Sequence, residues 1–183
     1  MANLGTLVAV SFLVAVVLAA VGTMARMPWV ERISDLAFVT FYVSAGALVW
    51  AVHGLFVDRV PLVWLFTLLA IAALAVQLVN QVLVAVGVFK FPQVAILQTV
   101  AFAGVLVWMA AVSIMTFGDD ALPVGTGWLG VITVLGAVAL LGLMSRDKAL
   151  VKGERNPTRN ELIFAVLPLL ALLAWFYWVG SSV

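Results

Sequence analysis

Apolar runs of about twenty residues or more, each closed by a short polar break, leave this chain few folds to choose from. The runs cover 4–25, 33–56, 60–89, 92–117, 125–144 and 161–180. A hydrocarbon core of roughly 30 Å is crossed by about 20 helical residues, so each run is long enough to span. Of the 183 residues 66% are hydrophobic and 9% charged, a balance that a soluble core does not need. The chain therefore reads as an all-α polytopic membrane protein of six transmembrane helices. It forms a single transmembrane domain over 1–183 with the lipid bilayer as its first partner.

Charge and cysteine content remove several function classes. The net charge is +1 and the basic residues are scattered, which gives no patch for nucleic acid or for an acidic macromolecule. There is no cysteine, hence no disulfide framework, thiolate metal site or cysteine nucleophile. The segment before the first run carries no basic residue, so that run is expected to be a retained span rather than a signal peptide.

Sorting the basic residues by break gives the orientation. Arg26, Arg32, Lys90, Arg146, Lys148, Lys152, Arg155 and Arg159 fall on one side, and Arg59 alone on the other. The positive-inside rule then puts both termini outside, in what is expected to be a prokaryotic cytoplasmic membrane. Trp50, Trp64, Trp128, Trp175, Tyr177 and Trp178 come near the outer ends of their spans, where interfacial anchors are expected. Asp119 and Asp120 lie in an outer loop.

The three inner breaks share a pattern of base, any residue, proline: Arg26-Met27-Pro28, Lys90-Phe91-Pro92 and Arg155-Asn156-Pro157. Proline in the first helical turn loses no hydrogen bond, because that amide has no intrahelical acceptor. The prolines stand 64 and 65 residues apart, and behind the first two the register continues through Val30 with Val94, Ala37 with Ala101, Phe38 with Phe102, Gly54 with Gly118 and Trp64 with Trp128. The first and fifth spans correspond through Gly5 with Gly127 and Ser11 with Thr133. These matches predict three helical hairpin repeats, at approximately 1–57, 58–120 and 121–183, set around a pseudo-three-fold axis.

Six spans, outer termini and three hairpins turning on inner prolines resemble the AmiS and acid-activated urea channel family over the whole chain. The resemblance implies a protomer of repeated hairpins that conducts urea or short amides and assembles as a homo-oligomeric ring. The chain departs from the family pattern in three places. The third span, LVWLFTLLAIAALAV, echoes an aromatic-rich Phe-Thr-Tyr character only at Phe66-Thr67. The sixth span has no carboxylate at depth, Glu161 falling near its start, although Pro168 interrupts it. The outer loops lack a histidine cluster for acid gating.

No Asp, Glu, Lys or Arg is placed deep in a span by these boundaries. Buried ionisable groups mark proton relays, voltage sensors and charged-substrate sites, so a pump, a proton-coupled antiporter and a retinal protein are disfavoured. One histidine, His53, supplies neither a pair of haem ligands nor a zinc set, and no nucleophile has a base beside it. The expectation is a protein without enzymatic activity, cofactor or metal.

Neutral polar groups remain. Gln77, Asn80 and Gln81 share one face of the third span at i, i+3 and i+4. Gln98, early in the fourth, is placed to meet Gln81 across the hairpin. Amides offer both donors and acceptors and can replace the hydration shell of a neutral solute without a field that selects an ion sign. Equally, they can hold helices together at about 0.6–2 kcal/mol per bond. Tyr42 extends a polar path or, like Ser44, bonds locally, Trp108 is a constriction or packing, and His53 is an interfacial residue or a pH-sensitive gate. Gly127, Gly130, Gly136 and Gly142, with Ala15 and Ala19, form small-residue surfaces for close helix contact or an oligomer interface.

The leading expectation is a passive channel for a small neutral polar solute, urea-like or amide-like, with Gln77, Asn80, Gln81, Gln98, Trp108, Tyr42 and His53 along its path. The alternative is a non-catalytic subunit or anchor of a larger membrane complex, with the amides as helix contacts and the 145–160 loop available to a partner.

Overall fold

The computed structural model describes residues 3–25, 27–89, 91–146 and 159–183. They form six helices and no strand: α1 Leu4–Ala25, α2 Pro28–Phe56, α3 Val63–Ala85, α4 Phe91–Gly118, α5 Val124–Arg146 and α6 Arg159–Ser182.

Local chemistry sets the ends. Proline restricts the residue before it to extended backbone. Met27 obliges with φ −104° and ψ 95°, and Pro28 opens α2. That start is five residues ahead of the expected 33; it adds Glu31 to the helix and moves Ser34 and Asp35 from its first turn to about two turns in. At the far end of α3, Gly87 takes a φ of 78°, where a side chain would be strained. Its amide donates to the Val84 carbonyl and the Val88 amide to that of Leu83, a paired cap that halts the helix. The third span thus ends at Ala85 and not near 89. Of the three proline turns, the first two stand at the starts of α2 and α4; Arg26, Lys90 and the whole of Arg155-Asn156-Pro157 lie outside the described residues.

From α1 to α5, short connections make successive helices antiparallel neighbours. Each of α1 to α5 packs on the next, and α6 returns to α1, so the six close into a ring. Without a hydrophobic drive between helices in lipid, close association depends on small residues that let backbones approach. A Cβ on Gly104 would come within 3.1 Å of the Ala73 Cβ between α4 and α3, and one on Gly136 within 2.8 Å of the Pro168 Cβ between α5 and α6. Gly127 is held against the Ser113 carbonyl and Phe117, whereas a Cβ on Gly142 would meet nothing within 4 Å. The ring interior is filled by Phe41, Leu48, Trp108, Met109, Trp175 and Phe176.

Outside the ring Leu65, Leu68, Ile96 and Ile114 are well exposed, as lipid-facing side chains should be. Among the described residues five helices are long and apolar enough to cross a bilayer, and the apolar stretch Val166–Ser182 of α6 is shorter. These properties define an integral membrane protein.

Five of the six expected aromatic anchors, Trp50, Trp64, Trp128, Tyr177 and Trp178, are exposed. Trp175 is not an anchor. It is 0% exposed and meets Trp108 edge to face with ring centroids 5.5 Å apart.

Candidate functional site

The three amides of α3 face inward, each at most 7% exposed, because their shared stripe is the one α3 turns to the ring. They do not form one cluster. Asn80 and Gln81 lie about one turn, roughly 6 Å, beyond Gln77 toward the face that carries the α1–α2 and α3–α4 turns.

At that face the Gln81 Nε2 donates to the Asp35 Oδ1 at 2.7 Å. The sequence reading placed no carboxylate deep in a span. Asp35 is one, two turns into α2, because Pro28 starts the helix early. Glu31, Ser34, Asp35 and Gln81 line a vestibule of about 470 Å³ with Ala19, Phe38 and Val84 as its apolar walls. The Ser34 Oγ donates across to the Ala15 carbonyl of α1 at 2.9 Å.

Further along the ring interior, Gln77 and Tyr42 are the polar members of a small cavity of about 80 Å³ otherwise lined by Phe12, Phe41, Leu74, Phe102, Met109 and their neighbours. A second cavity of about 170 Å³ between α5 and α6 shares Phe12, Phe102 and Leu172 with it and is apolar except for Thr133. The Thr133 hydroxyl is already given to the Leu129 carbonyl.

The other expected residues fall in different places. Gln98 does not take up Gln81, whose amide is engaged by Asp35; the Gln98 Nε2 is buried without a partner, as is the Asn80 Nδ2. A buried donor left unpaired costs about 1–3 kcal/mol, which makes both groups unusual in a settled interior. Ser44 bonds locally, to the Thr40 and Phe41 carbonyls. Trp108 packs against Trp175 and is not among the lining of the small cavity. His53 is 4% exposed, so it is no surface interfacial residue. Its Nδ1 lies 3.1 Å from the Thr67 Oγ1, its Nε2 has no partner, and Trp50 and Trp64 cover it.

Sequence reasoning missed Glu31, Asp35 and Thr67. The first two stand at i and i+4 and so share a face, a signal available once the helix is started at Pro28. Among the described residues no three His, Asp or Glu side chains converge as a metal set.

The fold and site together define an all-α integral membrane protein whose closed helix ring opens a carboxylate and amide vestibule at one face. Comparison of the chain with family models, with curated proteins and with solved structures finds no match.

Proposed function

We propose that the protein is a passive facilitator for a small neutral polar solute, of the urea or amide type. The observation that carries this reading is the order of amides along α3. Gln81 stands at a wide vestibule, Asn80 follows with an unspent donor, and Gln77 lines the smaller cavity. A neutral solute passing them would exchange hydration for amide donors and acceptors in steps of about one helical turn. In this proposal the six helices are three hairpins about a pseudo-three-fold axis, the vestibule faces the cytoplasm, both termini are outside, and copies of the chain associate through their lipid-facing surfaces.

A second reading has a specific support. Phe41, Met109, Trp175 and Phe176 pack the interior beyond Gln77, as they would in a non-catalytic subunit whose amides only join helices.

Stopped-flow light scattering of proteoliposomes challenged with urea, acetamide and glycerol separates the two. A facilitator admits at least one solute faster than protein-free liposomes do, and Gln77→Leu and Asn80→Leu each slow that entry about tenfold or more, the effect of losing about 1.4 kcal/mol of barrier stabilisation. Entry no faster than the protein-free rate for all three solutes would leave the subunit reading standing.

A further inference from the structure

The two interior cavities adjoin and offer a ligand different things. Phe12, Phe102 and Leu172 are walls of both. The cavity of about 170 Å³ between α5 and α6 is apolar, its Thr133 hydroxyl being spent on the Leu129 carbonyl. The cavity of about 80 Å³ beside it carries Gln77 and Tyr42.

That polar end is unspent. Gln77 is 5% exposed and Tyr42 9%, yet among the described residues neither the amide nor the phenol has a hydrogen-bond partner. Buried polar side chains are ordinarily paired, and an amide and a phenol at one cavity suit a ligand group that both donates and accepts. A hydroxyl does both. Among the described residues no charged side chain lines either space, and a charge buried without a partner is costly, so the ligand is neutral.

The apolar end sets the rest of the ligand. An apolar cavity of about 150 Å³ stays dry and takes up benzene, and the α5–α6 cavity is of that order, with the Phe12 and Phe102 rings in its wall. Leu141, in the same wall, is also exposed on the outside of the ring. Entry is therefore from the bilayer. We infer that the ring binds a small neutral amphiphile, one aromatic ring with a hydroxyl on a short carbon arm, taken up between α5 and α6. Its ring lies against Phe12 and Phe102, and its hydroxyl reaches Gln77 and Tyr42. The site shares Gln77 with the proposed solute path but is reached from lipid and not from the aqueous vestibule, and it holds whether or not any solute crosses.

The test is fluorine NMR of the full chain in detergent, titrated with para-fluorobenzyl alcohol and with para-fluorotoluene, which keeps the ring and lacks the hydroxyl. Partition into micelles does not saturate, whereas a cavity fills at one ligand per chain. Saturable binding of the alcohol is expected, with para-fluorotoluene weaker. Tyr42→Phe removes one oxygen and no ring; it should weaken the alcohol about two- to tenfold, the effect of one net hydrogen bond, and leave any binding of para-fluorotoluene unchanged. Ala137→Phe, which fills the α5–α6 cavity, should abolish binding of both. No saturable binding of the alcohol, a folded Tyr42→Phe that binds it as before or loses both ligands alike, or undiminished binding in a folded Ala137→Phe would each overturn the inference. Alcohol binding without solute entry in the liposome experiment would count against the facilitator alone, and solute entry without alcohol binding against this site alone.

Discussion

Gly5 of α1 and Gly180 of α6 meet backbone to backbone at the seam that closes the ring. A Cβ on Gly5 would stand 2.7 Å from the Gly180 Cα and would run into the Phe176 carbonyl, and one on Gly180 would collide with the Gly5 backbone. The obstruction is main chain on both sides, so no rotamer change relieves it. Gly5→Leu is expected to lower stability by about 1–3 kcal/mol or more, the range for forced overpacking, and Gly180→Ala to do likewise. Gly46→Ala, with nothing within 4 Å of its Cβ, is the control; it should be neutral or gain up to about 1 kcal/mol from helix propensity. Thermal unfolding in detergent reads all three.

His53 and Thr67 join α2 to α3 inside the ring. Thr67→Val leaves both ring nitrogens of His53 buried without partners, since Nε2 already has none. The expected cost is about 1–3 kcal/mol. A double-mutant cycle with His53→Leu should return a coupling of about 0.5 kcal/mol or more; additive losses would show that the contact contributes nothing of its own.

Arg59, in the α2–α3 turn, pairs with Asp119, in the α4–α5 turn, and the same Asp119 oxygen accepts the Ala121 amide at 2.8 Å. The arginine is about half exposed. Solvent screening leaves such a pair worth about 0–1 kcal/mol, so Arg59→Ala should shift the unfolding midpoint little, and less still at high salt. Asp119→Ala should cost more than Arg59→Ala, because it also removes the acceptor that orders its own turn.

Trp175 fills the interior between α4 and α5, beside Gly130 and Ser113. Trp175→Ala should cost about 3–5 kcal/mol through the cavity it leaves, whereas Trp178→Ala, on the exposed side of the same helix, should stay well below that. Intrinsic fluorescence of the two variants gives a second measure: removal of Trp178 should delete the more quenchable, more solvent-sensitive emission.

The helices were legible in the sequence because apolar run length is a property of the chain alone. Their ends were less so. Starting the second span at its first apolar stretch put Asp35 in the first turn, when Pro28, read as a first-turn proline, already places it two turns deep. That one boundary hid the vestibule and gave Gln81 the wrong partner. The inward stripe of Gln77, Asn80 and Gln81 followed from spacing, and the structure keeps it buried. Trp175 shows the opposite limit. Four residues, Trp175, Phe176, Tyr177 and Trp178, look alike as a belt, yet two face the interior and two face out. Gly130 leaves the space that the inward Trp175 enters, which the belt pattern does not show.

The ring also has an order of assembly. Every extensive interface but one joins helices adjacent in the chain, and the exception, α1 with α6, spans nearly its whole length. Neighbouring contacts can form as each hairpin leaves the ribosome, while the seam must await the last helix. Until α6 arrives, Phe41 and Trp108, which meet Phe176 and Trp175 in the finished protein, stand open to the bilayer on that side. A nascent chain halted before α6 would therefore be a five-helix crescent filled with lipid tails, and the sixth helix would enter by displacing them.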